Sequence, residues 1–333
     1  MALRKRILVA CEELILSGGM LRFERLGRAL SAAEYELVYV CLADHPVAHW
    51  PSRFPVLSFT ECAAQRWHFV MVPGAGFSDQ TIDRLARFRD PRFGRRLQHV
   101  LNDQSMKPRF LHVNRTFQPH LVIFNNLAWP PGTYTQFQAE RFHTVLGAVD
   151  IDRFHPTDER PREQSGPIVL GGLANKNAEA LVDALALLPD NVSLKLLGNA
   201  DALLDARPDL RRMPRIERVG VLFEDELPSF YRNIDIAVHT EMRGGWSNFA
   251  AEAMASGVPL ICTPHGTTAF ARDGETAVVL EKPSASAISA AVERLLSDNA
   301  RAANLARNAT EAIRAFSWQM YAARLGPVLG LQQ

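Results

Sequence analysis

The segment GGWSNFAAEAMASGVP, residues 244–259, combines residue types that suit the binding of a polar ligand. Gly244 and Gly245 allow the backbone to come close to a ligand. Ser247 is placed to cap a helix, and the first N–H groups and the dipole of a helix attract anions and sugar hydroxyls. Glu252 stands among alanines in that helix, so we expect close packing and a carboxylate that points into a crevice, where it needs hydroxyl donors. An exposed Glu252 beside an ordinary turn is the alternative.

Alternating strands and helices must position this segment. The first half of the chain contains apolar runs whose length and branching indicate buried strands, with helical or glycine-containing stretches between them. This order predicts a parallel sheet with crossover helices. The predicted strands are RILVAC (6–11), ELVYVCLA (36–43), the weaker FPVLSF (54–59), HFVMVPG (68–74), RLQHVLND (96–103) and PHLVIFNN (119–126).

A polar, proline-bearing stretch at residues 147–167 is the best candidate for a linker. After it the alternation starts again, which predicts a second doubly wound α/β domain. Ligands of such sheets bind beyond the carboxyl ends of the strands, and two facing domains form a cleft. The predicted strands of the second half are 166–173, 193–198, 235–240, 258–263 and 276–280.

Composition narrows the class of protein. The chain has 333 residues, of which 47% are hydrophobic and 22% charged, as expected for two globular domains. A net charge of +1 gives no reason to expect a nucleic-acid partner. The four cysteines make no metal-binding spacing, and no apolar run is long enough to span a membrane. We expect a cytoplasmic protein, and a peripheral contact with the inner face of the membrane is compatible with this composition.

Five ordered pieces of the sequence resemble the retaining GT-B glycosyltransferases of family 4, the group 1 glycosyltransferases. GWSNFAAEAMASGVP is similar to their most typical segment, E-G-[FW]-[GS]-x4-E-A-[ML]-A-x-G-x-P. The resemblance covers nearly all of the second half, whereas the first half matches in its SGG loop (17–19) and layout. The other four pieces are GAVDIDRFHP (147–156), LPSFYRNIDIAVHT (227–240), DGETAVVL (273–280) and FSWQMYAARL (316–325).

The resemblance implies a GT-B fold, with two Rossmann-like domains that face a central cleft. Residues 1–148 would bind the acceptor, residues 149–316 would bind a nucleotide sugar, and a helix at 317–333 would return to the first domain. The implied activity is metal-independent transfer, with retention, of a hexose-type sugar from a nucleotide diphosphate sugar to a hydroxyl acceptor. UDP or GDP is the favoured nucleotide, and the acceptor is a sugar, a lipid-linked molecule or a small molecule. The implied role is in glycan or glycoconjugate synthesis, and no cofactor is expected.

The resemblance also assigns donor-site roles. Glu252 would bind the ribose hydroxyls, and Lys176 the diphosphate, although Lys176 could also be an ordinary surface lysine. His99 lies where relatives carry a histidine that touches the donor, and a core histidine is an equal alternative. With Lys176 and Glu252 it completes the predicted catalytic set. The residues expected around the donor sugar and phosphates are Gly18, Gly19, Gly244, Gly245, Trp246, Ser247 and Asn248.

Two departures from the family pattern concern the donor site. The family has a glutamate where this chain has Gly244, and an arginine where it has Gly172. Glu241 is an alternative carboxylate three residues earlier. These losses leave open a second hypothesis, in which the chain is a non-catalytic homologue that binds a sugar nucleotide or scaffolds a partner transferase.

Polar residues at the ends of two predicted strands of the first half are candidates for binding acceptor hydroxyls. They are Asn102, Asp103, Asn125 and Asn126. Asp150 and Asp152 form a DxD pattern, which we interpret as structural because it lies inside the junction segment. No other histidine or acidic cluster has ligand spacing, so no metal is predicted.

Overall fold

Two parallel sheets organise the chain. A computed structural model describes residues 4–14, 18–30, 35–44, 52–130, 132–157 and 167–330. The chain divides into two compact units, the first formed by Met1–Gly147 with Trp318–Gln333 and the second by Ala148–Ser317. Ser17 of the SGG loop and residues 158–166 of the predicted linker lie outside the described residues.

The sheet of the first unit has the strand order β3-β2-β1-β4-β5-β6-β7, and all neighbouring strands are parallel. Its central strands are almost wholly buried, as their apolar sequences predict. The strands are β1 (Lys5–Cys11), β2 (Tyr35–Cys41), β3 (Val56–Leu57), β4 (Phe69–Pro73), β5 (Arg95–Val100), β6 (Leu121–Phe124) and β7 (Arg141–Thr144).

Helices among the described residues connect these strands. They are α1 (Gly18–Ala29), α2 (Phe59–Ala63), α3 (Asp79–Ile82) and α4 (Lys107–Phe117). The helix predicted at residues 81–88 begins as α3 and continues as a 3-10 helix at Asp83–Arg89. Phe88, Phe93 and Phe117 pack edge to face beneath the sheet and form part of its core.

The sheet of the second unit has the order β10-β9-β8-β11-β12-β13, and its strands are also parallel. The strands are β8 (Ile168–Leu173), β9 (Val192–Leu197), β10 (Ile216–Gly220), β11 (Ile236–His239), β12 (Leu260–Cys262) and β13 (Val278–Val279). The helices are α5 (Ala178–Leu185), α6 (Asp201–Ala206), α7 (Leu227–Arg232), α8 (Asn248–Ala255), α9 (Ala285–Ser297) and α10 (Asn299–Ile313).

Each sheet starts with two strands on one side of its first strand and continues on the other side. This is the order of doubly wound nucleotide-binding sheets, in which the ligand site lies where the order reverses. The reversal falls between β1 and β4 in the first unit and between β8 and β11 in the second. The predicted class of two doubly wound α/β sheets is therefore confirmed.

The last helix of the chain, α11 (Trp318–Val328), belongs to the first unit, where it packs against α1. Trp318 and Tyr321 are buried, and their rings lie 5.2 Å apart. The chain thus leaves the first unit, forms the second and returns. None of the described helices is both long and apolar enough to cross a lipid bilayer.

Candidate functional site

Two loops meet at the reversal point of the second sheet. One follows β8 and carries Lys176, and the other follows β11 and carries Glu241. The strands are neighbours, with Ala237 opposite Gly171 in the parallel register. Their carboxyl ends therefore deliver both loops to one edge of the sheet, where doubly wound folds bind their ligands.

Hydrogen bonds hold the Lys176 loop in place. The Thr240 hydroxyl donates to the Lys176 carbonyl at 2.6 Å, and the Asn177 amide donates to the Thr240 carbonyl at 3.3 Å. Asn177 has φ +54°, a left-handed conformation that asparagine tolerates better than most residues. These contacts fix the backbone from which the Lys176 side chain extends, just before the start of α5.

Lys176 and Glu241 form an ion pair. Lys176 Nζ lies 2.6 Å from Glu241 Oε1, and the two side chains are 41% and 15% exposed. The predicted lysine is therefore accessible and next to a carboxylate. A ligand that carries phosphate groups would meet both charges at once.

The glycine turn lies beside this pair. Gly244 and Gly245 are half-buried, and a Cβ at residue 244 would lie 3.3 Å from the Glu241 carboxyl group. The turn is anchored by the Ser247 N–H, which donates to the Gly266 carbonyl at 2.8 Å. Glu241 therefore occupies space next to the position at which the family pattern has its first glutamate.

The turn leads into α8, which begins at Asn248. Ser247 caps the helix, because its hydroxyl accepts a hydrogen bond from the Ala250 N–H at 3.1 Å. The remaining first N–H groups of the helix lie close to the glycine turn. Binding of an anion at this end of the helix stays a prediction.

Glu252 is buried inside α8, with only 4% of its surface exposed. Neighbouring Ala251 and Ala253 are fully buried, in agreement with the expected close packing. The Tyr231 hydroxyl donates to Glu252 Oε2 at 3.0 Å, from a ring that is also fully buried. The interpretation of Glu252 as a solvent-exposed residue is wrong.

Tyr231, which lies in the segment LPSFYRNIDIAVHT, is the residue that contacts the Glu252 carboxylate. The helix α7 brings it to Glu252 across 21 residues of chain. Its ring also packs against Phe154 and Phe249 at 5.7 and 5.8 Å. A buried tyrosine usually finds a partner for its hydroxyl, which is the signal that could have identified this contact.

Trp246 turns its ring into the core. The ring centroid lies 4.9 Å from that of Phe270 and 5.5 Å from that of Phe316, and Nε1 has no hydrogen-bond partner among the described residues. The backbone of Trp246 is part of the glycine turn, whereas its ring packs in the core. Its predicted role in donor binding stays a prediction.

A buried histidine adds to the electrostatics of the site. His239 ends β11, and its Nδ1 accepts a hydrogen bond from the Glu241 N–H at 3.3 Å. Burial, with smaller contributions from the charge of Lys176 and from His265, lowers its pKa to about 3. His239 is therefore neutral at physiological pH and adds no positive charge beside Lys176.

Gly172 lies within β8 and faces α5. A Cβ at this position would collide with Leu181 Cδ2, and Leu181 is fully buried. An arginine at residue 172 would therefore have to displace the core between β8 and α5. The packing of β8 against α5 therefore leaves no space for the arginine that the family pattern has at this position.

His99 is fully buried at the carboxyl end of β5. Its ring contacts Phe23 edge to face at 5.1 Å, and neither ring nitrogen has a hydrogen-bond partner in the described part of the chain. Burial, together with the charge of Arg22, lowers its pKa to about 3. Its donor-binding role stays a prediction, and proton transfer by His99 near neutral pH is not favoured by this pKa.

Arg22 is a buried cation that the sequence did not single out. It is 7% exposed, and the rings of Trp318 and Tyr321 lie 6.0 and 5.7 Å from its guanidinium carbon. With the amide oxygen of Asn125 directed toward it, the shortest guanidinium contact is 2.6 Å. Burial lowers the pKa of Arg22.

The four predicted acceptor residues differ in accessibility. Asn125 and Asn126 are buried, and the Asn126 amide donates to the carbonyls of Leu101 and Asn102 at 3.1 and 3.2 Å. Asn102 is exposed, and Asp103 caps a short 3-10 helix. Asn102 and Asp103 are therefore the accessible members of this set, and acceptor binding by all four stays a prediction.

Gly18 and Gly19 are the first two residues of α1, at the reversal point of the first sheet. Their predicted role beside the donor phosphate has the right topological position and stays a prediction. Within the described ranges, no three histidine, cysteine, aspartate or glutamate side chains cluster in a way that could hold a metal ion. Asp150 instead pairs with Arg153, at 3.5 Å.

Comparison with known proteins finds similarity in the second unit. Residues 167–298 match the family model described as Glycosyl transferases group 1. The chain is 28% identical over 215 residues to a D-inositol 3-phosphate glycosyltransferase of Xylanimonas cellulosilytica, which covers 56% of this chain and 50% of that protein. It is 27% identical over 196 residues to an MMP alpha-(1->4)-mannosyltransferase of Mycolicibacterium hassiacum, with 56% and 47% covered. The chain thus spans about half the length of these relatives.

The fold has solved counterparts along nearly the whole chain. The crystal structure of Anabaena Alr3699/HepE in complex with UDP and glucose superposes with a TM-score of 0.80 at 17% identity, covering 99% of this chain and 100% of that one. The two parallel sheets, of seven and six strands, are those of the GT-B fold.

Proposed function

We propose that this protein is a retaining glycosyltransferase that moves a hexose-type sugar from a nucleotide diphosphate sugar to a hydroxyl acceptor. The observation that carries the proposal is the meeting of Lys176, the glycine turn at Gly244–Ser247 and the capped start of α8 at one edge of the second sheet. Support comes from the match to the group 1 family model at residues 167–298 and from relatives named as glycosyltransferases. The solved neighbour that holds UDP makes UDP the first nucleotide to test.

Each part of the site has a role in this proposal. Lys176 neutralises charge on the diphosphate, and the N–H groups at the start of α8 donate to the phosphate oxygens. Glu252 accepts hydrogen bonds from the ribose hydroxyls, and Tyr231 holds its carboxylate in position. Asn102 and Asp103 of the first unit are the proposed acceptor contacts.

Catalysis would rest on charge stabilisation and positioning. The bond between the anomeric carbon and the diphosphate breaks, negative charge develops on the leaving oxygen, and Lys176 with the helix N–H groups stabilises it. A diphosphate oxygen receives the proton of the incoming hydroxyl, which attacks the face that the leaving group vacates. The protein supplies orientation rather than a covalent nucleophile, and the reaction is proposed to need no metal.

The test begins with thermal unfolding in the presence of UDP, GDP, ADP and their common sugar conjugates at millimolar concentration. We expect one nucleotide to raise the melting temperature of the wild type, and Glu252→Gln and Lys176→Ala to lose most of that rise. Glu275→Gln, a change to an exposed glutamate paired with Arg272, is the matched control and should behave as the wild type. The absence of any stabilising nucleotide would contradict the proposal.

A non-catalytic homologue is the second candidate, favoured by the glycines at positions 172 and 244. Hydrolysis separates the two candidates. A transferase slowly hydrolyses its bound nucleotide sugar when no acceptor is present, whereas a binding homologue retains the sugar conjugate intact. Analysis of the stabilising conjugate by anion-exchange chromatography after overnight incubation distinguishes these outcomes.

A further inference from the structure

The Lys176–Glu241 ion pair affects which ligands the donor site binds. This inference rests on the proposed function. A diphosphate that binds Lys176 must come close to the Glu241 carboxylate, since the two side chains are 2.6 Å apart. A negative charge beside a phosphate is unfavourable, and the repulsion grows with the charge of the phosphate.

The backbone of Glu241 is held in place by hydrogen bonds. Its N–H donates to His239 Nδ1, and its carbonyl accepts a hydrogen bond from the Thr263 hydroxyl. Thr263 is fully buried, and its own carbonyl accepts from the Thr267 hydroxyl at 2.5 Å. The backbone of Glu241 is thus tied to β11 and to the loop after β12, and its side chain is only 15% exposed.

The space next to the carboxylate is open because residue 244 is glycine. A Cβ at this position would lie 3.3 Å from both Cδ and Oε2 of Glu241. Any larger side chain would cover this side of the carboxylate. Gly244 therefore leaves Glu241 room to contact a ligand group that lies in the glycine turn.

Two possible ligands of this site differ in charge and in hydrogen-bond donors. A free nucleoside diphosphate ends in a phosphate whose second pKa is about 6, so it is almost fully charged at pH 7.5. In a sugar nucleotide this oxygen is esterified, which removes one negative charge and adds several hydroxyl donors. A carboxylate repels the first ligand and accepts hydrogen bonds from the second.

We infer that Glu241 sets the preference of the donor site for the sugar nucleotide over the free nucleoside diphosphate. It shares Lys176 with the diphosphate, accepts hydrogen bonds from the hydroxyls of the donor sugar, and weakens binding of the nucleotide product. Glu241 is thus a specificity-determining residue, and it also promotes release of the product after transfer.

The test compares dissociation constants of UDP and UDP-glucose, or of the corresponding pair if the wild type prefers another base, by isothermal titration calorimetry at pH 7.5. Glu241→Gln keeps the shape and removes the charge. We expect it to bind the free diphosphate about tenfold more tightly and the sugar conjugate several-fold more weakly. The matched control is Glu217→Gln, which removes the carboxylate of another Lys–Glu pair of the same sheet, with Lys195 at 3.2 Å. It should leave both constants unchanged.

The pH dependence provides a second readout. At pH 5.5 the terminal phosphate of UDP gains a proton, and the repulsion by Glu241 decreases. The wild type should therefore lose part of its preference for UDP-glucose between pH 7.5 and 5.5, whereas Glu241→Gln should change little over the same range. Gly244→Ala, which presses on the carboxylate without removing it, should shift the preference in the same direction as Glu241→Gln and by less.

Equal ratios of the two dissociation constants in the wild type and in Glu241→Gln would overturn the inference, while binding of both nucleotides would leave the proposed function intact. If the melting temperature shows that Glu241→Gln is unfolded, Gly244→Ala and the pH series of the wild type replace it. An unchanged ratio of the two dissociation constants in both would then overturn the inference. Failure of the wild type to bind either nucleotide would instead overturn the proposed function, and the inference with it.

Discussion

At the scale of single residues, burial determines what Glu252 can do. A carboxylate that loses its water must gain hydrogen-bond donors, or its charged form is disfavoured. Tyr231 supplies one such donor at 3.0 Å. The alanine-rich sequence indicated that Glu252 is buried, but it could not indicate the donor, because the contact depends on how α7 and α8 pack.

Tyr231→Phe should weaken nucleotide binding. The change removes the hydroxyl that orients Glu252 and keeps the packed ring. Hydrogen bonds to charged groups contribute about 1.5–3 kcal/mol, so we expect the dissociation constant of the nucleotide to rise roughly tenfold or more. Titration calorimetry measures it, and KM for the donor should rise more than kcat falls.

Tyr134→Phe is the control for this prediction. The Tyr134 hydroxyl donates to the Trp129 carbonyl at 3.1 Å within the first unit, and neither residue belongs to residues 167–298. This variant should bind the nucleotide as the wild type does. Unchanged affinity in Tyr231→Phe would mean that the tyrosine has only a packing role.

His99 should make the protein less stable in mild acid. Its pKa is about 3 in the folded protein and about 6.5 in the unfolded chain, so the unfolded state binds more protons between these values. The free energy of unfolding therefore falls as pH falls below 6.5, by about 1.4 kcal/mol at pH 5.5 for this one group.

Comparison of the wild type with His99→Met isolates this contribution. Urea unfolding at pH 7.5 and pH 5.5 should show that the variant loses about 1.4 kcal/mol less stability than the wild type over this interval. Equal losses in the two proteins would contradict a neutral, buried imidazole. Other titrating groups affect both proteins alike and cancel in the comparison.

At the scale of secondary-structure elements, the sequence predicted the central strands and missed an edge strand of each sheet. β7 and β10 were not predicted, because their residues are largely exposed or half-buried and lack the apolar runs of the central strands. The packed centre of a sheet selects apolar residues, whereas an edge strand depends on its neighbour for hydrogen bonds.

The same limit applies to the candidate site. Lys176, the glycine turn and Glu252 could be predicted because their residue types and local spacing carry the signal. The contact of Lys176 with Glu241 joins residues 65 positions apart and depends on β8 lying next to β11. From the sequence, Glu241 was only an alternative to the family glutamate that is missing at Gly244. The sheet topology places it next to Lys176.

The start of α8 contributes to stability and, in the proposed function, to nucleotide binding. Substitution of two serine caps, one at α8 and one at α9, distinguishes these contributions. Ser247 and Ser284 each accept a hydrogen bond from the third following N–H, at 3.1 and 3.2 Å, at the starts of α8 and α9. Replacement of either by alanine should cost about 1 kcal/mol of stability. Only Ser247→Ala should also weaken nucleotide binding, because only α8 begins at the glycine turn.

Thermal unfolding and nucleotide titration of both variants check this prediction. A loss of nucleotide affinity in Ser284→Ala as large as that in Ser247→Ala would mean that the effect follows from general destabilisation. Wild-type affinity in Ser247→Ala would mean that the order of the first turn of α8 is not needed for binding.

At the scale of the whole molecule, the first unit is made from two separate parts of the chain. The helix α11, which packs against α1 in this unit, is synthesised only after the entire second unit. Arg22 of α1 lies beneath the rings of Trp318 and Tyr321 of α11. A buried guanidinium is costly to desolvate, so the cover by these rings and the contact with Asn125 help to compensate it.

Trp318→Ala should therefore loosen the first unit selectively. Removal of a buried tryptophan costs about 3–5 kcal/mol, and here it also uncovers Arg22. Hydrogen–deuterium exchange should become faster in α1 and α11, while α8 and its neighbouring strand β11 keep their protection. Met320→Ala, at a 43% exposed position of the same helix, should leave both regions unchanged. Equal loss of protection in α1 and α8 would contradict this prediction, because it would mean that the substitution destabilises both regions alike.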